Sequence, residues 1–355
     1  MAVFEIMIDH SKIVGLVKRS LKFRAVYHAQ WMLTRRCNFK CRSCGVWTNQ
    51  EGGDLSTDQI KLGLDILRDL GVLEIVFSGG NPLIRDDIEE ILDYASNSFI
   101  TTVYDNGSMA AEKIDSLRSA DFVAISVDTL DEKKNDYIKG IPGAWRKAMH
   151  SIETLKSEGV HVGVSPTISQ LNLYEMIDFT KYFINRDVPV WYCLYSHDYP
   201  FERSMFSIGR ESDGYEITDK KTLADICTAL MEIKKENKNI YITDKALEAV
   251  RELALTGQRT WICKALSNFL VIDNNGRIAG CHGREPVASI FELPEAWSSL
   301  RFRRLRREYE QCVNCAYLCY VVYSIHNGIL GNIEILRDRW ESAKPFVKET
   351  RVKSS

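Results

Sequence analysis

The sequence lacks the segments that would direct a chain into or across a membrane. No stretch of about eighteen consecutive apolar residues occurs in its 355 residues. The first thirty residues also lack an apolar core followed by small residues at a cleavage site, so no secretory signal is predicted. We therefore expect a cytoplasmic protein.

An excess of charge of one sign is missing as well. The 46 Lys and Arg residues nearly balance the 48 Asp and Glu residues, and the net charge of -2 gives no general reason to expect nucleic acid as a partner. Hydrophobic residues make up 45% of the chain, which suits one large domain plus a small one. Residues 1–27 alternate apolar and basic residues. This pattern predicts an amphipathic helix packed across one end of the domain, with peripheral contact to the inner face of a membrane as the alternative.

Ten cysteines are present, and they form one early triplet and one late group rather than the spread of a disulfide framework. The triplet Cys37, Cys41 and Cys44 lies on one short loop, with three residues and then two between the thiols. Thiolates are soft ligands that favour iron-sulfur clusters, zinc or Cu(I), and three of them leave a fourth metal position open. A zinc loop or three unrelated buried thiols is the alternative.

The Cys-x3-Cys-x2-Cys spacing, preceded by Leu-Thr-Arg-Arg, resembles the cluster loop of the radical S-adenosylmethionine (SAM) enzymes. The resemblance implies that Cys37, Cys41 and Cys44 hold a 4Fe-4S cluster whose remaining iron is chelated by SAM. It also implies reductive cleavage of SAM to a 5'-deoxyadenosyl radical, with the electron supplied by a low-potential donor of the flavodoxin or ferredoxin type. The residue before the third cysteine is often aromatic in the family. Here it is Ser43, so contact with adenine must come from elsewhere.

From residue 26 onward, apolar strand-like runs alternate with amphipathic helical stretches, which indicates a parallel α/β sheet. Strands are predicted at 26–33, 73–77, 100–104, 122–127, 160–167 and 188–195. Helices are predicted at 57–70, 86–96, 110–119, 144–158, 174–185 and 221–236. Right-handed crossovers curl such a series toward a partial (β/α)6 TIM-type barrel, with functional residues at the carboxyl ends of the strands.

The predicted strand ends carry further motifs of the resemblance. Gly79 and Gly80 let backbone approach a ligand closely and leave amides to bind it, and they match a Gly-Gly-Glu-Pro stretch in which Asn81 replaces Glu. Plain turns are the alternative at this and the next strand end. The sixth strand end offers an aromatic ring for adenine, and Cys193 and Cys227 are expected in the core. The residues that the resemblance assigns to SAM are Gly79, Gly80, Asn81, Asn106, Ser126, Asp128, Lys139 and Tyr195.

The late cysteines follow a different pattern. Apolar runs flank Asn275-Gly276, which predicts a β-hairpin that brings Cys263 toward Cys281. This group resembles the shortened auxiliary-cluster module called twitch, which is related to the longer SPASM module. The resemblance implies one auxiliary 4Fe-4S cluster, and a zinc site with four thiolates is the alternative. Its ligands would be Cys263, Cys281, Cys312 and Cys315, with Cys319 as the alternative to Cys315.

Four segments are expected: an N-terminal amphipathic segment (1–27), a radical SAM partial barrel (28–250), a small cysteine-rich cluster module (251–325) and a helical tail (326–355). The implied reaction abstracts hydrogen from a small-molecule, sugar or lipid-linked substrate, for dehydrogenation or for C-C or C-X bond formation. Modification of a ribosomal peptide or protein is the alternative. A non-catalytic zinc or iron-sulfur scaffold or electron carrier is the alternative of another class. Five arginines at 301–307 predict a solvated helix face, or a surface for a phosphate or an acidic electron donor.

Overall fold

The computed structural model describes residues 26–48, 53–196, 205–206, 209, 214–313, 317–335 and 337–338, together with residues 12, 15–16 and 18–19. The five described residues near the N-terminus are helical. Lys12 Nζ lies 2.8 Å from Asp121 Oδ2, Leu16 joins the main core, and Arg19 bonds the carbonyl of Ser98. These contacts favour a helix packed across one end of the domain. Within the described residues, no helix combines the length and apolarity needed to span a membrane.

The predicted strands lie in two sheets: the first five pair in parallel within one sheet, and the sixth belongs to a separate two-stranded sheet. Strands β1 to β5 pair in sequence order, and β6 pairs in parallel with β7. Beyond β1, the hairpin of β8 and β9 and the short β10 extend the same sheet, because β8 pairs in parallel with β1. The strands are β1 His28–Met32, β2 Glu74–Ser78, β3 Ile100–Asp105, β4 Phe122–Ile125, β5 Val162–Val164, β6 Thr167–Ile168, β7 Cys193–Leu194, β8 Phe269–Ile272, β9 Arg277–Ala279 and β10 Ala288–Ser289.

The fifth and sixth predicted strands differ most from their expected ranges. The strand predicted at 160–167 is divided into β5 and β6, which lie on either side of Ser165 and Pro166. Proline has no amide proton to donate to a ladder, which accounts for the interruption. The strand predicted at 188–195 retains a bridge from Val190 to Val164 and then β7. The hairpin predicted at Asn275-Gly276 is confirmed, with Gly276 at φ 75°.

The described α-helices pack around the sheet. They are α1 Thr57–Leu70, α2 Ile88–Ser96, α3 Ile114–Leu117, α4 Glu132–Lys139, α5 Ala144–Ser157, α6 Met176–Ile184, α7 Lys220–Glu236, α8 Asp244–Thr256, α9 Leu293–Ala296, α10 Leu300–Gln311 and α11 Leu318–Ile325. Short 3-10 helices occupy Val46–Thr48, Pro82–Ile84, Ala110–Glu112, Leu173–Glu175 and Ile290–Glu292. The helix predicted at 110–119 is therefore a 3-10 turn followed by the single turn of α3, whereas α4, α8, α9 and α11 were not predicted.

Local sequence explains α1. Its capping box pairs the Ser56 side chain with the backbone amide of Gln59 and returns the Gln59 side chain to the Ser56 amide. It ends at Gly71, whose φ of 101° suits a residue without Cβ. Its buried face packs on the sheet, where Gly63 lies against the Trp31 ring. This contact holds the outer face of β1.

The inner face of β1 is more polar than its outer face. Successive side chains of β1 point to opposite faces of the sheet. One set lines an internal cavity and consists of His28, Gln30 and Met32, whereas Ala29 and Trp31 lie on the other face. The helix α11 packs against this inner face, because Tyr320 Oη donates to Gln30 Oε1 at 3.4 Å. Residues from the C-terminal part of the chain therefore complete the wall of the barrel.

Candidate active site and cluster-binding loops

One cavity of about 290 Å³ runs from the carboxyl ends of the strands into the barrel. Its wall contains all three thiols of the early triplet, Cys37, Cys41 and Cys44. Five of the eight residues assigned to SAM from the sequence share this wall; Asn81, Asp128 and Tyr195 are not in it. The five residues are Gly79, Gly80, Asn106, Ser126 and Lys139.

The early thiols lie in a poorly solvated environment. Burial raises the pKa of Cys37, and it raises the pKa of Cys41 to about 12, although the ammonium group of Lys139 opposes the shift at Cys41. Such thiols are protonated at neutral pH, so a metal that bound them would displace their protons. Soft thiolate donors around an open cavity fit a 4Fe-4S cluster with one exposed iron.

A single metal ion is a poorer fit at this loop. Within the part of the chain that the structure describes, no three His, Cys, Asp or Glu side chains converge closely enough to ligate one ion. Zinc requires its thiolates at about 2.3 Å from one centre, whereas a cluster of four irons accepts thiolates at its separate corners. The geometry thus disfavours the zinc alternative at Cys37, Cys41 and Cys44.

The cluster loop lies directly against the Gly-Gly turn. The Gly80 amide donates to the Thr34 carbonyl at 2.8 Å, and the Asn81 amide donates to the Arg36 carbonyl at 2.8 Å. A Cβ on Gly80 would lie 2.2 Å from the Arg36 carbonyl oxygen, so only glycine permits this approach. The expectation that the glycine amides are open for a ligand is therefore wrong for Gly80, because the cluster loop accepts its amide proton.

Asn81 has a positioning role instead. Its side chain is fully buried, accepts the Leu83 amide at 2.9 Å, and donates to Asn106 Oδ1 at 3.2 Å. Asn106 in turn donates to Asn38 Oδ1 at 2.8 Å. This amide network joins two strand ends to the cluster loop and holds Asn106 in the cavity wall. Beside it, burial raises the pKa of Asp105 to about 6.

Ser126 and Lys139 form a second polar group in the cavity wall. Lys139 Nζ lies 2.7 Å from Ser126 Oγ and 2.7 Å from Asp128 Oδ2. Burial opposes the charge on Lys139, but Asp128 and Cys41 outweigh it and raise the pKa of Lys139. Asp128 Oδ1 accepts the Thr167 amide at 2.9 Å, so this carboxylate is held by protein groups behind the wall. Lys139 and Ser126 remain beside the thiols.

Tyr195 does not reach the cavity wall. It packs with Tyr215, at 5.5 Å between ring centroids, and with Ile138 in a small apolar cluster of its own. Cys193, which was expected in the core, lines the cavity, whereas Cys227 is in the core as predicted. The aromatic residues that do line the cavity are Phe39, Trp47, Tyr104, Trp191 and Phe206.

Sequence reasoning missed the polar floor of the barrel. Glu74 is 1% exposed, its Oε2 accepts the Tyr323 hydroxyl at 2.6 Å, and His28 Nδ1 lies 3.6 Å from the same oxygen. The sequence does contain a signal for His28, Gln30 and Glu74, which are polar residues within apolar strands. Residues at alternate positions of a strand face the same side of the sheet, so His28 and Gln30 could have been placed on one face. The partner Tyr323 could not be found from the pattern.

The late cysteines are divided between two places. One place holds Cys263, Cys281 and Cys312. Burial raises the pKa of Cys263, and the nearby Cys312 raises it further. A hydrogen bond to Cys312 raises the pKa of Arg284, and the charge of Cys281 adds to this shift, so Arg284 lies beside both thiols. Cys315 lies outside the described residues. Cys319, predicted as its alternative, lines the barrel cavity instead.

Three described residues between β7 and α7, Met205, Phe206 and Gly209, lie beside the cavity. The Met205 amide donates to the His282 carbonyl at 2.9 Å, and the Gly209 amide donates to the Ser43 carbonyl at 2.8 Å. Phe206 lines the cavity and stacks on His282 at 5.5 Å between ring centroids. This loop therefore connects the early cysteine loop to the late cysteine group.

Comparison with protein families agrees with this geometry. Residues 31–181 match the model of the radical SAM superfamily. The chain carries a radical SAM domain. Members of this superfamily bind a 4Fe-4S cluster and SAM, so the predicted superfamily, enzyme class and pair of cofactors are confirmed at that level. The auxiliary cluster and the individual site residues stay predictions.

Relatives among characterised proteins carry several functions. An AdoMet-dependent heme synthase of Nitratidesulfovibrio vulgaris is 31% identical over 42% of this chain and 43% of its own length. The subtilosin biosynthesis protein AlbA of Bacillus subtilis is 30% identical over 46% of this chain and 38% of its own length. An AdoMet-dependent heme synthase of Methanosarcina barkeri is 27% identical over 81% of this chain and 87% of its own length. The chain thus spans less than half the length of the first two of these relatives.

Solved structures share the fold. Streptococcus suis SuiB bound to S-adenosylmethionine superposes with a TM-score of 0.63 at 16% identity, over 82% of this chain and 69% of SuiB. The structure of anSMEcpe with bound AdoMet and a peptide superposes with a TM-score of 0.60 at 13% identity, over 92% of this chain and 99% of anSMEcpe. At this identity the likeness concerns the fold alone. The predicted α/β partial TIM-type barrel is confirmed.

Proposed function

We propose that this chain reductively cleaves SAM at a 4Fe-4S cluster held by Cys37, Cys41 and Cys44, and that it abstracts hydrogen from a substrate in the barrel cavity. One observation carries the proposal: the three thiols share a single cavity wall with the polar groups assigned to SAM. When bound, the cluster and SAM supply an electron and a 5'-deoxyadenosyl radical.

The residues of the wall suit the parts of SAM. Lys139 and Ser126 offer a cation and a hydroxyl for the carboxylate, next to the thiols. Gly79 and Asn106 offer backbone and amide groups for polar atoms of the methionyl or ribose portion. Phe39 and Trp47 present apolar ring surface on the cluster loop itself, which replaces the aromatic residue missing at Ser43.

The cavity favours a small substrate or a small part of a larger one. Its volume of about 290 Å³ is at the low end of ligand sites, and SAM would share it, so only the reacting part of a substrate would enter. Its floor offers His28 and Gln30 as hydrogen-bonding groups. We therefore propose a polar small molecule, a sugar or the head of a lipid-linked substrate, and either dehydrogenation or C-C or C-X bond formation.

We further propose an auxiliary 4Fe-4S cluster on Cys263, Cys281, Cys312 and Cys315. The first three lie together, and the assignment of Cys319 to the barrel cavity leaves Cys315 as the fourth candidate. Such a cluster supplies an electron acceptor when bound. His282, which follows Cys281, contacts Phe206 of the cavity wall, so the chain provides a short route between the two places.

Modification of a ribosomal peptide is the second candidate. It is favoured by the similarity to AlbA, a protein of bacteriocin biosynthesis, and by the fold shared with SuiB, which has been solved with its precursor peptide. In that case only one residue of the peptide would enter the cavity.

The test uses the anaerobically reconstituted chain, with SAM and dithionite, and follows 5'-deoxyadenosine by mass spectrometry. We expect the wild type to form it and a variant with Ala at Cys37, Cys41 and Cys44 to form none, because the open iron site is lost. Cys227→Ala, which changes a core thiol outside both groups, is the control and should remain active. If the triple variant still forms 5'-deoxyadenosine, the assignment of the cluster loop is wrong.

The same triple variant tests the auxiliary cluster. It should retain about four irons per chain with matching sulfide, because the late cysteines are intact. Retention of zinc without iron would instead identify the late group as a structural zinc site.

A further inference from the structure

The outward face of α10 is strongly basic. Five arginines and two glutamates occur between Trp297 and Val313. Phe302 and Tyr309 are buried and fix which side of the helix faces the protein. Arg306 also faces inward, since its Nε donates to the Leu266 carbonyl at 2.6 Å. The run of arginines is therefore not uniform, and its remaining members are exposed on the opposite side.

The exposed arginines are not neutralised by their neighbours. Arg303, Arg304 and Arg307 are exposed, and among the described parts of the chain none of them forms an ion pair. Of the two acids on the same helix, Glu310 is held by Lys264 at 2.8 Å, and Glu308 forms no ion pair within the described residues. A local excess of positive charge on a chain of net charge -2 concentrates its attraction for an acidic partner at this face.

This face adjoins the late thiols. The helix α10 ends at Gln311 and is capped by Cys312, and the Tyr309 hydroxyl accepts the amide of Gly280, the residue before Cys281, at 3.0 Å. Two apolar side chains are exposed beside the thiols: Ile262, at 56%, precedes Cys263, and Val313, at 72%, follows Cys312. The surface thus has an apolar part next to the thiols and a basic part along α10.

Apolar and charged parts together are typical of protein interfaces, and interfaces of electron carriers are small and weak. A nucleic acid would use the arginines but has no need of exposed Ile262 and Val313. On the inner side of the thiols, His282 is buried and stacks on Phe206 of the cavity wall. The thiol group therefore lies between this surface and the place where SAM would bind.

We infer that the basic surface, formed by Arg303, Arg304 and Arg307 of α10 with Ile262 and Val313, is the docking site of an acidic one-electron carrier protein. The inference rests on the proposed function, because SAM cleavage consumes the electron. In each transfer the reduced carrier loses one electron and an iron-sulfur group of this chain gains it, and no atom is exchanged. Charge steers the encounter, and the apolar pair gives close contact near the thiols.

The experiment compares two reductants on the reconstituted holoenzyme. Reduced flavodoxin is the acidic carrier, and dithionite is the small reductant that needs no docking surface. The variant carries Glu at Arg303, Arg304 and Arg307. The control carries Glu at Lys220, Lys221 and Lys238, three exposed lysines in and after α7, and has the same change in net charge. Binding of flavodoxin is measured by interferometry at low and high salt, and 5'-deoxyadenosine is measured with each reductant.

We expect the arginine variant to bind flavodoxin at least about tenfold more weakly at low salt, with a smaller salt dependence than the wild type. Its 5'-deoxyadenosine formation should fall with flavodoxin and stay unchanged with dithionite. The lysine control should behave as the wild type in both assays. A variant with Lys at the three arginine positions should retain binding, because the charge is kept.

The inference is wrong if the arginine variant binds flavodoxin as the wild type does, or if the lysine control loses as much affinity. It is also wrong if flavodoxin fails to bind while a single-stranded RNA oligonucleotide binds the wild type and not the arginine variant. Failure of the proposed function looks different. In that case the wild type makes no 5'-deoxyadenosine with dithionite, whatever the binding measurements show.

Discussion

At the scale of single residues, the barrel interior holds a carboxylate that the protein must satisfy from far along the chain. Glu74 is 1% exposed, and its Oε2 accepts the Tyr323 hydroxyl at 2.6 Å. When a buried acceptor loses a donor, the free energy of its desolvation is no longer compensated by that hydrogen bond. An exposed acceptor can form a hydrogen bond with water instead. The contribution of a hydroxyl therefore depends on where its acceptor lies.

Replacing Tyr323 with Phe should lower the free energy of unfolding by about 1–3 kcal/mol, since the ring stays stacked on His28 while the buried Glu74 Oε2 loses the Tyr323 hydroxyl. Tyr94→Phe is the matched control. The Tyr94 hydroxyl also donates to a carboxylate, Asp65, but at the surface, so we expect a much smaller loss. Urea denaturation of the two variants checks this. Equal losses would show that burial of Glu74 does not set the cost.

At the scale of elements, the cluster loop is held by a turn rather than by a helix or strand of its own. Backbone bonds from Gly80 and Asn81 support it, and Gly140, after α4, lies so close that a Cβ would be 2.0 Å from the Lys40 carbonyl oxygen. Two elements distant in sequence thus approach the same loop. The spacing of the cysteines is useful only if both approaches are preserved.

Gly80→Ala should displace the cluster loop, because the new methyl group would meet the Arg36 carbonyl oxygen at 2.2 Å. We expect iron incorporation at Cys37, Cys41 and Cys44 to fall and 5'-deoxyadenosine formation to be lost. Gly53→Ala is the control, since a Cβ there meets nothing within 4 Å. Iron and sulfide analysis after reconstitution measures the effect. Full iron content in the Gly80 variant would mean that the loop tolerates the displacement.

At the scale of the whole molecule, stability depends on a histidine at the amino-terminal end of the barrel. His161 Nδ1 donates to the Asp121 carbonyl at 3.1 Å, which leaves Nε2 to accept the Tyr241 hydroxyl at 2.9 Å. Burial lowers the pKa of His161 to about 4. The unfolded chain, with an ordinary pKa near 6.5, binds this proton first as the pH falls. The contribution of neutral His161 is complete above pH 6.5 and is lost on descending toward pH 4.

We therefore expect the wild type to lose stability relative to His161→Gln as the pH falls from about 6.5 to 4, by up to about 1.4 kcal/mol per pH unit. Glutamine keeps an amide that can bond Tyr241 and does not titrate. Denaturation curves of both chains at several pH values give the difference between their free energies of unfolding. Titrating groups that the two chains share contribute equally to both and cancel in this difference. If this difference does not change with pH, the pKa of His161 in the folded protein is not lowered and the prediction is wrong.

Much of the fold could be predicted because its signals are local. Apolar periodicity, caps and the Asn-Gly turn act within a few residues, so the sequence alone indicates the order of strands and helices and the hairpin at Gly276. The compact loop of Cys37, Cys41 and Cys44 likewise has its thiols together by spacing alone. These features depend on neighbours along the chain and hold whatever the rest of the molecule does.

The cavity depended on neighbours in space. Tyr323 and Glu74 are 249 positions apart, and no local pattern pairs them. The same holds for Cys319, which spacing placed with Cys315 but the path of α11 brings to the barrel wall. Asp128, expected at SAM, is held by Lys139 because a strand end and a helix end meet there. The sequence determined which elements form and which residues can do chemistry. The tertiary structure decided which of those residues share a wall, because packing sets the distances between segments.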